Sequence, residues 1–184
     1  LMHRTFDMRH VEFVVASPHF ELVTDAGAQF ARQVLGDLER VRQALAPSGT
    51  PLPVRCFVFK QQTEFARYRP TRITSAFFQS GPDRDYIVAS LDSRGRSDRR
   101  ALFHEYTHLV LHHTTRGLPT WADEGLAEYY STMDFSAGKA QVGKPVSAHV
   151  EALDKYPRMS ASDMASVTSE SPEYSDEMRG AIFY

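Results

Sequence analysis

One cysteine, Cys56, is the whole thiol content of the chain, so no intramolecular disulfide supports it. Its place in an apolar run reads as a buried core thiol. No apolar stretch approaches the about 20 residues that cross a bilayer, and no secretory signal is visible. Neither sign of charge dominates: the formal net charge of −2 argues against a nucleic-acid or anionic-membrane partner. Internal repeats and low-complexity tracts are missing as well. What remains is an ordinary globular composition, 42% hydrophobic and 24% charged over 184 residues, enough for one domain with a sizeable core. The one local excess is basic. Arg94, Arg96, Arg99 and Arg100 interleave with Asp92 and Asp98, and read as a solvated loop, with a hold on an acidic substrate as the alternative. The start Leu1-Met2-His3 and the end Ile182-Phe183-Tyr184 read as a piece of something longer. The compartment is left open: soluble, and exported (periplasmic or extracellular) if an upstream signal was removed.

Residues 11 to 23 read as one or two strands broken at Ser17-Pro18. Thr24 is expected to cap a helix from about 25 to 46, in which Phe30, Val34, Leu38, Val41 and Leu45 recur at helical spacing and form a core stripe. Pro47, Gly49 and Pro51 end it. Val54 to Phe59 is a continuous apolar-rich strand, followed by a helical turn around Thr63 to Tyr68. Ser75 to Gln79 and Tyr86 to Leu91 flank Gly81-Pro82-Asp83 and so predict a hairpin. After residue 130, Ser136 to Gly143 reads as a turn or short hairpin, Pro145 to Lys155 as a helix, and Ser160 to Val167 as a shorter one. Ser171-Pro172-Glu173 opens a last segment. The fold class is α+β in a single domain, with a sheet-rich half over 1–96 and a helical half over 97–184.

The informative stretch is His104-Glu105-Tyr106-Thr107-His108. Residues 97 to 115 hold no proline or glycine, Ser97 or Asp98 can cap the segment, and Gly117 and Pro119 stop it. On that helix His104 and His108 stand one turn apart on one face, where two imidazoles can share a cation. Glu105 lies beside them, placed to take a proton from a water at that cation. His112 and His113 lie further round and read as structural or solvated. A second helix opens at about Trp121, with Thr120 and Asp123 in a capping-box arrangement. On it Glu124 and Glu128 are four apart and share a face, so either can supply a third ligand.

His-Glu-Tyr-Thr-His followed by Leu-Pro-Thr-Trp-Ala-Asp-Glu-Gly-Leu-Ala-Glu-Tyr resembles the gluzincin metallopeptidases, most nearly the bacterial peptidase-MA-like branch with its Trp-x-x-Glu-Gly-x-Ala-Glu-Tyr motif. The two-part signal covers residues 104 to 130. The resemblance implies one zinc ion held by His104, His108 and Glu124, with Glu105 as general base. It implies that Glu128 steadies a ligand histidine, as thermolysin-like members do with a carboxylate at this place. The implied fold is a small N-terminal mixed sheet with a packed helix, followed by a helical zincin active-site half. The hairpin strand before the zinc helix, through Ala76, Phe77 and Phe78, would hold extended substrate by backbone pairing, against a plain structural hairpin as the other reading. Clan members often stabilise the oxyanion with a tyrosine or histidine from a later helix. Tyr184 takes that place by resemblance, with Tyr174 and His149 as alternatives.

Metzincins are excluded because positions 111 and 114 hold Leu111 and Thr114 instead of glycine and histidine. The reversed inverzincin order is absent too. The glycine-rich Met-Glu-Asn motif of the clan's aminopeptidases is replaced by Ser75-Ala76-Phe77-Phe78-Gln79, which points toward an endopeptidase acting on a peptide or protein substrate. The rival expectation is a zincin-fold binding or structural module without turnover. Glu105 argues against it, since a structural zinc has no use for a base.

Overall fold

The computed structural model describes residues 13–46, 48, 50–70, 75–91, 99–156, 159–172 and 174. It is a mixed α+β protein with two compact units, Leu1–Leu102 and Phe103–Tyr184. Among the described residues, none of the helices is long and apolar enough to cross a membrane.

The first unit is built on a mixed five-stranded sheet. Its strands are β1 (Phe13–Ala16), β2 (Phe20–Thr24), β3 (Val54–Phe59), β4 (Ala76–Ser80) and β5 (Asp85–Ser90), in the spatial order β1-β2-β3-β5-β4. β2, β3 and β5 run parallel, while the outer strands β1 and β4 pair antiparallel with their neighbours. Side chains alternate between faces along a strand, so register rows show what each face buries. Leu22, Cys56 and Ile87 form one such row, all fully buried. Val23, Phe57 and Val88 form the next, on the opposite face, and join a core cluster with Phe59 and Phe65. Both faces are therefore covered, which is why the central strands read as continuous apolar runs. Burial pushes the Cys56 thiol up to about 12.

Helix α1 (Ala28–Leu45) packs on β1 and β2. Ala31, Val34, Leu35, Leu38 and Val41 make its buried stripe, with Phe30 and Leu45 half-buried at its ends. Asp37 lies in the same stripe, and its buried carboxylate is met by Arg40 and Arg99. Arg99 of the basic run thus neutralises a buried acid. Thr24 does not cap α1. The helix starts after Gly27 with no side-chain cap, because the Thr24 hydroxyl donates to Val58 O at 2.6 Å and accepts from Ala26 N at 3.1 Å. The short α2 (Gln62–Phe65) delivers Phe65 to the aromatic cluster, where it meets Phe59 and Phe77.

Helix α3 (Arg99–Thr114) carries the chain from the first unit into the second. In the second unit it is followed by α4 (Thr120–Ser131), a two-stranded hairpin of β6 (Asp134–Ser136) and β7 (Lys139–Gln141), α5 (Ser147–Lys155) and α6 (Ala161–Ser166). Ala137 and Gly138 turn the hairpin, both at positive φ.

Candidate metal centre

Helix α3 buries Phe103, Tyr106, Thr107, Leu109 and Val110 and leaves His104 and His108 half-buried beside them. The buried Thr107 hydroxyl is satisfied within the helix by donating to Phe103 O at 2.8 Å. One turn apart, the two imidazoles meet edge to face with centroids at 4.7 Å. Their Nε2 atoms are 3.0 Å apart. Two ring nitrogens that close need either a proton or a cation between them, since two lone pairs would repel.

The chain then stops and restarts within a few residues. Gly117 takes a positive φ of 70°, a conformation that L side chains rarely adopt, and Pro119 leads into α4. The buried positions of α4 are Glu124, Ala127 and Ser131, a helical stripe with a carboxylate at its head. A carboxylate only 7% exposed must be met by donors or cations. Glu124 Oε2 lies 3.4 Å from His104 Nε2 and 3.7 Å from His108 Nε2. Its other oxygen, Oε1, accepts a hydrogen bond from the Tyr174 hydroxyl. One ligand atom from each of His104, His108 and Glu124 lies within 4.8 Å of the other two, a group that could hold a metal ion.

Outer partners meet the rings. Asp123 Oδ2 stands 3.1 Å from His108 Nδ1, the nitrogen that faces away from the shared cluster. Glu128 Oε1 is 3.9 Å from His104 Nδ1 and 3.6 Å from His149 Nε2, ion-pair separations longer than a hydrogen bond. The Ser131 hydroxyl donates to Glu128 Oε2 at 3.2 Å. Of the two candidate glutamates, then, Glu124 faces the Nε2 pair and Glu128 faces the opposite ring nitrogen of His104. The charges shift His108. Its burial favours the neutral ring, but the bond to Asp123 and the nearby negative charges of Glu124 and Glu105 outweigh that and push it up to about 10. Glu105 itself is half-buried.

Three of the other expected site residues belong to the first unit. Ala76, Phe77 and Phe78 lie on β4, the last strand of the sheet, with Ala76 buried and the two phenylalanines half-buried. Tyr184 falls outside the described residues. His112 and His113 touch each other edge to face at 5.1 Å on α3. Two roles escaped the sequence. Asp123 reads there as a capping residue of α4, yet no side chain caps that helix, and Pro119 O instead accepts from Ala122 N and Asp123 N. That leaves the Asp123 carboxylate for His108. Tyr174 was one of three oxyanion candidates, and nothing local to it announced a bond to Glu124.

No family model, curated protein or solved structure matches the chain. The chemistry of the centre therefore rests on its own donors and their spacing.

Proposed function

We propose that the chain is a zinc metallopeptidase of the gluzincin type, with a thermolysin-like arrangement of sheet and helices, that hydrolyses peptide bonds and acts as an endopeptidase. The observation that carries this reading is the convergence of His104, His108 and Glu124 ligand atoms within 4.8 Å of one another, with Glu105 next to the first histidine. The donor set suits the ion. Ligands at about 2.0–2.1 Å on a tetrahedron stand about 3.3 Å apart. The separations of 3.0, 3.4 and 3.7 Å straddle that value. Two imidazoles and one carboxylate also make three protein ligands, the number found in hydrolytic zinc sites, whereas structural sites close all four positions.

When bound, the zinc ion supplies Lewis acidity and brings a water pKa to about 7. His104, His108 and Glu124 hold it. Asp123 accepts from the Nδ1–H of His108, which fixes the ring's tautomer and aims Nε2 inward. Glu105 is the base that takes the proton of the attacking water and later gives it to the leaving amine. For the developing oxyanion we keep Tyr184, because the Tyr174 hydroxyl is engaged by Glu124. For extended substrate we keep the β4 segment Ala76, Phe77 and Phe78, on a terminal strand able to pair with a peptide backbone.

The test compares wild type with Glu105→Gln for zinc content and for hydrolysis of a diverse peptide library, with and without chelator. Both proteins should bind one zinc ion, and hydrolysis should fall by about 10²- to 10⁴-fold in the variant, the usual worth of a positioned base. Undiminished hydrolysis by Glu105→Gln removes Glu105 as the base. Zinc uptake without turnover in wild type makes the chain a binding module, and failure to take up zinc ends the metallopeptidase reading.

A further inference from the structure

We infer that Tyr174 is a positioning residue for the centre: its phenol occupies Glu124 Oε1 and so commits the carboxylate to meet the ion through Oε2 alone. The inference rests on the zinc reading above and adds a device that the histidine–glutamate motif does not contain.

A carboxylate can ligate through one oxygen or both, and the second mode consumes a coordination position that a hydrolytic site needs for solvent and substrate. Glu124 is divided between two tasks. Oε2 faces the two Nε2 atoms at 3.4 and 3.7 Å, while Oε1 accepts from Tyr174 Oη. A phenol is suited to this because it donates without adding charge, so the carboxylate keeps its full charge for the cation. Burial strengthens the effect, since at 7% exposure little water is at hand to replace the phenol on Oε1. Lysine or arginine in the same place would compete with the metal for the carboxylate.

The tyrosine is delivered by a fastened turn. Thr168 N donates to Ser171 Oγ at 2.9 Å, and Ser171 N donates back to Thr168 O at 3.0 Å. Tyr174 N in turn donates to Ser171 O at 2.9 Å. The segment leaves α6 through Val167, which is 5% exposed. The buried valine and these bonds tie down the backbone that carries Tyr174, the kind of support that preorganises a ligand.

The experiment titrates wild type and Tyr174→Phe with zinc against a competing chelator, and with cobalt(II) as a spectroscopic stand-in. Thermal melting of both chelated proteins serves as the fold control. Wild type is read first: no zinc binding there refutes the zinc reading itself. Given wild-type binding, Tyr174→Phe should bind zinc about 10- to 100-fold more weakly, the usual loss for an outer partner. Its cobalt absorption in the visible should also weaken per bound ion, because Oε1, once released, joins the coordination and raises its number. The chelated variant should melt with wild type. Equal zinc affinity and an identical cobalt spectrum overturn the inference. So does a loss of affinity matched by a loss of chelated-state stability with the cobalt spectrum unchanged, which makes Tyr174 a packing residue only.

Discussion

Replacing Asp123 tests the outer support of the centre most directly, because the side chain acts in two opposed ways. Its Oδ2 is 3.1 Å from His108 Nδ1, so Asp123→Ala removes the acceptor that aims the ring. Loss of such a partner costs about 10- to 100-fold in metal affinity. The Asp123 side chain is 39% exposed, so solvent screens it and replaces part of the bond. We therefore take the lower end, about tenfold or ~1.4 kcal/mol. Against this, Asp123 is the first of the groups that push His108 up to about 10, so in chelated protein near neutral pH zinc must displace a proton that Asp123 helps to hold. Removing it relieves that competition. The sign follows: His108 is raised, its proton is bound below its folded value, and competition fades as pH rises toward it. The Asp123→Ala deficit should thus be smallest at about pH 7 and approach tenfold only above about pH 10, where His108 has lost its proton in both proteins. Asp123→Asn keeps a neutral acceptor and should match or exceed wild type at the lower pH. The assay is zinc competition against a chromophoric chelator across that range. Equal affinities of Asp123→Ala and wild type at the upper pH refute the argument.

Three further outcomes are expected. Glu124→Ala should lose most of its zinc by metal analysis while Glu128→Ala keeps it, and the reverse result would exchange their roles. Cys56, fully buried with its thiol raised to about 12, should resist alkylation in native protein at mildly alkaline pH and react after urea unfolding, as read by mass shift. Gly143 holds φ at +73° and its added Cβ would fall 2.5 Å from the Tyr129 ring. Tyr129 is partly exposed and can give way, so Gly143→Ala should destabilise by about 1–2 kcal/mol in urea unfolding, the cost of a left-handed residue with a side chain.

The parts of the molecule that sequence revealed are those decided by local pattern. β3 was legible over Val54–Phe59 because a run buried on both faces needs no partner to be recognised. The α1 stripe was legible because its period is set by the helix. Caps were not. Thr24 and Asp123 each had a side chain able to satisfy a helix end, but a strand carbonyl claimed one and an imidazole the other. Such competition is settled by which partner the fold brings near. In the same way Glu124 and Glu128 share a face and look alike in sequence, whereas distances of 3.4 and 3.9 Å to different nitrogens of His104 separate them. The Tyr174 bond spans fifty positions, and no spacing rule reaches that far.

The brevity of the link between α3 and α4 has its own consequence for how the molecule comes together. His104, His108 and Glu124 sit on successive helices joined by a few residues, so their meeting closes a small loop and loses little chain entropy. The parallel pairings of the sheet, Phe20 with Val54 and Val54 with Asp85, close larger ones. Contacts between near neighbours assemble sooner than distant strand pairings. If the centre takes up zinc as proposed, α3 and α4 are thus where an ion would be met early in folding, and zinc supply would bear on the yield of native protein.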